Sequence, residues 1–450
     1  MGINLHYGQS EVFEDLFLKC LNRFSVVNCS RGWGKSYLAG TAATTAIFEL
    51  MELPAWVPNK YVYIIAPTYE QATEIYYPLL AYELGLEEYA ISSSKDAGKF
   101  IFPDQVELRL LSYEAVERMR GKGAYFVVWD EVSSCKRGIA PKEAWQSIIK
   151  PCITTRWSKM RAKTAGAKSP GRGLIISTPK GYNFFHEMYH YKENDPDWKS
   201  YTFDYTQSPI LDIAEIEAEM LNMDPFKFAS EYRASFKESG KNVFYCFDRD
   251  KHVKDDYPEF RPPTSKSLKD GEDVHVFIDF NVGIMAASSH ALRGGQLHGQ
   301  DEFMGHPDTE TLAQTLVAKY EGHKIYAYPD PSGRSRKSSS PVGRTDFSIL
   351  NAAGIQTLAR HAAPGIADSV QAVNRKLLNA KGIASCFVRP RQKGLILSLE
   401  RTKWVENNPD LAVIDKSEGI EHYSDGYRYG VEFLFPVEAG TKLVKRGVNF

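Results

Sequence analysis

The sequence predicts an α/β fold in two parts, a P-loop parallel-sheet domain followed by a mixed-sheet domain. Three observations carry this prediction. The chain has 450 residues, too many for one ordinary core. Between residues 24 and 206 short apolar runs alternate with helix-like stretches. Beyond a proline-rich, charged stretch at 246–272, strands follow one another in quick succession before helix–strand units return.

In the first part the candidate strands are FSVVNCS (24–30), YVYIIAPT (61–68), YFVVWDE (125–131), GLIISTP (173–179) and SYTFDYT (200–206). Runs this short, rich in β-branched and aromatic residues, suit a parallel sheet covered on both faces. Residues 211–238 read as helical and charged, so 207–245 is expected to form a small helical lid within a first domain of 1–245. Residues 246–272, with Pro258, Pro262 and Pro263, read as a linker. The second domain, 273–450, opens with VHVFIDF (274–280), IMAASSHAL (284–292) and QLHGQDEF (296–303). Arg293-Gly294-Gly295 supplies a hairpin turn between the last two. A helix at 309–321 and the strand KIYAYPD (324–330) complete a mixed sheet. Two basic segments, 158–173 and 331–344, read as flexible loops.

Composition narrows the function classes. Lys and Arg total 55 against 56 Asp and Glu, so a nucleic acid would be held by local basic patches and not by a global field. The six cysteines are scattered with no CxxC spacing, which argues for a reducing compartment and against a zinc site or a disulfide framework. The N-terminal segment shows no signal-peptide pattern. No apolar stretch is long enough to span a membrane.

The first chemical constellation is CSRGWGKS (29–36), which follows a strand and opens a helix. It fits a P-loop except that Cys29 stands where glycine is usual. The backbone N–H groups of Ser30, Arg31, Gly32, Trp33 and Gly34, with the helix N-terminus, would cradle phosphate. Lys35 would reach the outer phosphates of ATP, and Ser36 would ligate Mg²⁺. Downstream, FVVWDE ends a strand in two acids. Asp130 would orient the Mg²⁺ shell and Glu131 would polarise the attacking water. In STPKG (177–181), Thr178 is placed to sense the γ-phosphate. Gln9 is a candidate to read the adenine edge, with a plain surface glutamine as the alternative. Arg120, in ERMRGKG, is the candidate finger offered to a neighbouring subunit, with a solvated basic loop as the alternative.

The second constellation is three carboxylates. Asp279 ends VHVFIDF, Asp330 ends KIYAYPD, and Asp425 starts an aromatic-rich helix in EHYSDGYRYG. Two strand-end acids and one helix-start acid can converge at one sheet edge and hold two Mg²⁺ or Mn²⁺ ions for phosphodiester cleavage. For Asp425 a helix N-cap role competes. His422 and Asp346 are candidate supports, and Asn281 a residue steering the loop after Asp279. Arg334, Arg336, Lys337 and Arg344 would grip a phosphate backbone without reading sequence.

Taken in order, CSRGWGKS, VVWDE, STPKG, IDFNVGIMAA, YPDPSG and HYSDGYRYG resemble the motifs of the large terminase subunit of tailed bacteriophages, over nearly the whole chain. P-loops of that family often depart from the standard form and carry an arginine, as Cys29 and Arg31 do here. The resemblance implies an additional-strand ASCE (RecA-like) ATPase domain followed by an RNase H-like nuclease domain. It implies an ATPase centre of Lys35, Ser36, Asp130 and Glu131, coupling through Thr178, and nuclease metals on Asp279, Asp330 and Asp425. It further implies a viral packaging motor that moves double-stranded DNA and cuts concatemers. Its partners would be a small terminase subunit and the portal of an empty procapsid, on which subunits dock as a ring in the host cytoplasm. Two rivals are a helicase-nuclease of DNA repair, which would need a second RecA-like domain, and a nucleotide-gated scaffold, for which Glu131 would have no use.

Overall fold

The computed structural model describes residues 4–135, 137–237, 240–254, 268–269, 271–280, 285–334, 344–405 and 413–437. They form two compact units: Met1–Ile216 with Phe226–Glu238, and Glu217–Pro225 with Ser239–Phe450. The segment 207–245, expected to form a small helical lid within the first domain, is divided between them.

The first unit is built on an eight-stranded sheet. Its strands are β1 (Phe24–Cys29), β2 (Tyr61–Ala66), β3 (Ser92–Ser94), β4 (Lys99–Ile101), β5 (Glu107–Ser112), β6 (Phe126–Asp130), β7 (Arg172–Ser177) and β8 (Trp198–Phe203). They lie in the order β3-β4-β5-β2-β6-β7-β1-β8. All pairings are parallel except β3 with β4 and β4 with β5. The five strands expected from the apolar runs are present. The hairpin β3–β4 and the strand β5 are additions, and β3 is the polar tripeptide Ser92–Ser94, which carries no apolar signal.

Alternation along the strands feeds two cores. Val27, Ile64, Val128 and Ile176 face the side covered by helix α2 (Lys35–Met51), which follows the short α1 (Tyr7–Phe13). Val26, Ile65, Trp129 and Ile175 face the other side, against Trp145 and Ile149. Burial on both faces is why these strands read as continuous apolar runs. The strand β7 lies between β1 and β6, pairing Asn28 with Ser177 and Asp130 with Ile176. That insertion brings three loops together at one sheet edge: the one after Cys29, the one after Asp130 and the one after Ser177.

The segment 158–173, expected to be a flexible loop, is ordered. Ser158 caps helix α3 (Lys159–Ala165) by accepting from Arg161 N, and Gly166 ends the helix at φ +76°. Arg172 already belongs to β7 and is buried against Glu49, to which it donates, while Tyr125 Oη donates to the same carboxylate at 2.7 Å.

Helices α4 (Ile213–Glu219) and α5 (Pro225–Glu231) follow β8. In the second unit a six-stranded sheet comprises β9 (Val274–Asp279), β10 (Met285–Arg293), β11 (Gln296–His306), β12 (Ile325–Pro329), β13 (Gln356–Thr357) and β14 (Cys386–Phe387), in the order β13-β12-β9-β10-β11-β14. The first three strands are antiparallel, and β12 adds parallel to β9. This is the mixed sheet expected of an RNase H-like unit. Arg293 pairs with Gln296 across Gly294 and Gly295, whose φ values of +55° and +78° fit a two-residue hairpin turn. Its helices are α6 (Thr309–Lys319), α7 (Asp346–Ala352), α8 (Ile366–Leu377), α9 (Lys393–Arg401) and α10 (His422–Leu434).

The expected linker is only partly described, its residues 255–267 and 270 lying outside the described set. Its first residues pack into the second unit: Cys246 and His252 are buried, and Val253 bridges to Val388.

Helix α10 lies close over β9 because it has glycines one turn apart. A Cβ on Gly426 would meet the Asp279 amide nitrogen at 3.1 Å, and one on Gly430 would meet the Phe277 ring at 2.0 Å. That close approach carries Asp425 to the end of β9.

Candidate active sites

In the first unit the turn after β1 uses two left-handed glycines, Gly32 (φ +74°) and Gly34 (φ +98°), the latter capping α2. Left-handed backbone turns the chain sharply and exposes successive N–H groups. Trp33, between them, is buried and stacks on Phe203 with centroids 4.7 Å apart. Gln9 is buried rather than on the surface. Its Nε2 donates to Gly34 O at 2.9 Å and its Oε1 accepts from His6 N at 3.2 Å, so it braces the turn. Cys29 and Ser30 are fully buried, and burial pushes the Cys29 thiol up to about 12, leaving it an uncharged core residue. Arg31 is exposed, and its backbone N–H donates to Glu231 O at 2.7 Å.

Lys35 gathers the rest of this site. Its Nζ donates to Thr178 Oγ1 at 2.8 Å and to Ser30 O at 3.3 Å, and lies 3.3 Å from Glu131 Oε1. Glu131 has a left-handed backbone (φ +49°), an unfavourable conformation for a side-chain-bearing residue, and its N–H donates to Ile176 O. Ser177 Oγ donates to Glu131 Oε2 at 3.4 Å. Asp130 is buried. Burial, and then the charge of Glu131, raise its carboxyl to about 6, against the hydrogen bond from Tyr76. That bond, from Tyr76 Oη to Asp130 Oδ2, is 2.7 Å long, and the same hydroxyl interacts with Ser36. Asp130 Oδ1 is buried with no hydrogen-bond partner among the described residues. Arg120 stays outside this cluster. It is exposed and is held by Glu117 and by Ser147 O at 3.4 Å.

In the second unit the register pairs Pro329 with Ile278, so Asp330 and Asp279 leave neighbouring strand ends side by side. Asp279 is buried. Burial, and then the charge of Asp425, raise its carboxyl to about 6, against its hydrogen bond with His422 (Nδ1 to Oδ2, 3.4 Å). Asp425 is buried in the first turn of α10, its Oδ1 accepting from Arg428 Nε at 2.9 Å and its Oδ2 from Lys416 Nζ at 2.6 Å. Asp330 is half-buried. Its Oδ1 accepts from Ser332 N at 2.7 Å, and its carboxylate interacts with the Tyr429 hydroxyl.

The acids thus gather at one sheet edge, but not as the closed metal-binding triad expected. Among the described residues no group of three or more His, Cys, Asp or Glu side chains is arranged to hold a metal ion. The physical reason lies in Asp425, whose two oxygens are taken by Arg428 and Lys416. Asp346 is not part of this group, as it accepts from Thr309 Oγ1 at 2.6 Å at the start of α7. Arg334 donates to the carbonyls of Arg360 and Ala359 (2.7 Å each), and Arg344 pairs with Glu310, so neither is a free phosphate grip. Asn281, Arg336 and Lys337 lie outside the described residues.

Sequence reasoning missed Tyr76, which no motif flags. It also missed Lys416 and left Arg428 and Tyr429 unassigned, although the latter two stand inside the quoted HYSDGYRYG.

The fold defines a class: a P-loop unit of the additional-strand kind joined in one chain to an RNase H-like unit. In sequence the chain is similar to large terminase subunits of bacteriophages. It is 26% identical over 242 residues to the large terminase subunit of Escherichia phage T5, covering 52% of this chain and 48% of that protein. It is 27% identical over 168 residues to that of Thermus phage G20c, covering 33% and 30%. The chain therefore spans about half or less of the curated relatives it matches. No family model matches. Among solved structures, the large terminase of a thermophilic bacteriophage aligns over 95% of this chain and 99% of its own, with 14% identity and a TM-score of 0.47. The six cysteines are free. No helix among the described residues is long and apolar enough to cross a membrane.

Proposed function

We propose that this chain is the large terminase subunit of a tailed phage, hydrolysing ATP to drive double-stranded DNA into a procapsid and cutting that DNA at a second, metal-dependent site. The observation that carries the reading is the meeting of Lys35, Glu131 and Thr178 at the ends of three neighbouring parallel strands. In this reading Ser30 to Gly34 cradle the phosphates and Lys35 neutralises the outer ones. Glu131 Oε1 lies 3.3 Å from Lys35 Nζ, which keeps its carboxylate beside the phosphate-binding turn, where it would act as general base on the attacking water. Phosphate competes with Thr178 for the Lys35 ammonium, so its arrival and departure would break and remake that contact and couple hydrolysis to the end of β7. Gln9 acts by bracing the turn, and Arg120 is offered to a neighbouring subunit. The open Oδ1 of Asp130, with Ser36 next to the shared Tyr76 hydroxyl, suits Mg²⁺, which would neutralise phosphate charge when bound.

In the second unit the mutual repulsion of Asp279 and Asp425 is of the kind a divalent cation relieves. With Asp330 they would hold Mg²⁺ or Mn²⁺, which supply an activated water and a stabilised leaving oxygen. DNA, the procapsid portal and a small subunit are the partners this assignment brings, with a ring of subunits on the portal in the host cytoplasm. A helicase-nuclease fits less well, because the residues after 239 build the mixed sheet and not a second P-loop sheet. Glu131→Gln tests the assignment. DNA-stimulated ATP hydrolysis should fall at least a hundredfold, the usual contribution of a general base, and hydrolysis at the parental rate would refute it.

A further inference from the structure

Asp425 meets two cations of different character. Arg428 is fixed, being buried, with Nε on Asp425 Oδ1 and its other nitrogens donating to Ser369 Oγ (3.1 Å) and Tyr429 Oη (3.0 Å). Lys416 is not fixed. It stands on a loop before α10, its side chain is 59% exposed, and Asp425 Oδ2 accepts from its Nζ. Three carboxylates act on that ammonium: Asp425, Asp279 and Glu421. All three are buried, and Glu421 Oε2 has no hydrogen-bond partner among the described residues. A single, exchangeable, monovalent charge therefore sits among acids that repel one another.

We infer that Lys416 is a resident cation that competes with divalent metal for Asp425 and keeps this cluster from loading metal tightly until its ammonium is drawn elsewhere. The inference rests on the metal-dependent reading above. A Mg²⁺ ion bonds oxygen at about 2.0–2.1 Å, and an ammonium 2.6 Å from the same oxygen stands in its place. The lysine stem is long and flexible, so the ammonium can leave while Arg428 continues to hold the other oxygen. A DNA phosphate oxygen is a natural acceptor for it. Metal loading and DNA arrival are thereby linked through one side chain, and cleavage is restrained when the substrate backbone is absent.

The test is Mn²⁺ binding to the full chain, followed by calorimetry, counting the sites that Asp279→Ala removes. Lys416→Met should bind Mn²⁺ about fivefold more tightly at those sites, the upper range for one partly exposed ion pair. Lys416→Arg, which keeps the charge, should stay closer to the parent. Unchanged or weaker binding in Lys416→Met would overturn the role of Lys416. If Asp279→Ala removed no Mn²⁺ site, the metal-site reading beneath it would fall, and the inference with it.

Discussion

Lowering the pH from 7 to 5 should destabilise the second unit through two histidines in its sheet. His290 on β10 and His298 on β11 are fully buried. His290 stacks on Phe277 with centroids 4.6 Å apart, and its Nε2 hydrogen-bonds with Ser288 Oγ at 2.9 Å. Burial, and then neighbouring positive charge (His275 for His290, Arg293 for His298), lower the first to about 3 and the second to about 4. In the unfolded chain both titrate near 6.5. A depressed histidine contributes its full stability above 6.5 and loses it as pH falls toward the folded value. At pH 5 each favours the unfolded chain by about 2 kcal/mol, or roughly 4 kcal/mol together. Asp279, raised to about 6, works the other way, because the folded state takes up its proton first. Its protonation returns about 1 kcal/mol. The net loss is about 3 kcal/mol, which should lower a urea midpoint by roughly 1–2 M at typical slopes. Metal-free urea unfolding at pH 7 and pH 5, followed by circular dichroism, measures it. In His290→Phe the pH-dependent loss should shrink by about 2 kcal/mol. An equal pH-dependent loss in parent and variant would refute the reasoning.

Three further outcomes follow. Glu49→Ala leaves Arg172 buried beneath Phe17 and Tyr125 without its carboxylate, and should cost the first unit about 3–5 kcal/mol in denaturant unfolding. Gly430→Ala drives a methyl into Phe277; overpacking of about 1–3 kcal/mol should outweigh the helix-propensity gain of about 1 kcal/mol, and an equal or higher melting temperature would contradict the packing described. Tyr76→Phe removes the hydrogen bond to Asp130 and should raise the Mg²⁺ concentration needed for half-maximal ATP hydrolysis several-fold, an effect that a merely structural tyrosine would not produce.

Much of this was legible in the chain because burial on both faces writes strands as apolar runs and strand ends place acids at a sheet edge. The segments FSVVNCS, YFVVWDE and VHVFIDF announced their strands and their terminal residues in this way. The hairpin of β3 and β4 escaped because short edge strands need not be apolar, and Ser92–Ser94 is not. The segment 158–173 was misread because its positive charges suggest solvent, whereas Ser158 caps a helix and Arg172 is buried against Glu49. The open triad escaped for a related reason. Spacing identifies three acids, but it does not reveal that Lys416, nine residues before Asp425, reaches back to one of its oxygens. Gln9 was visible as polar, and only the fold shows it buried against the phosphate-loop carbonyl.

The central claim is that two separate chemistries reside in one chain. It is tested most directly by measuring DNA-stimulated ATP hydrolysis and Mn²⁺-dependent plasmid cleavage on the same preparations of the parent, Glu131→Gln and Asp279→Ala. The account predicts that Glu131→Gln loses hydrolysis and keeps cleavage of free plasmid, while Asp279→Ala loses cleavage and keeps hydrolysis. Cleavage that persists without the Asp279 carboxylate, or hydrolysis that persists without that of Glu131, would contradict it.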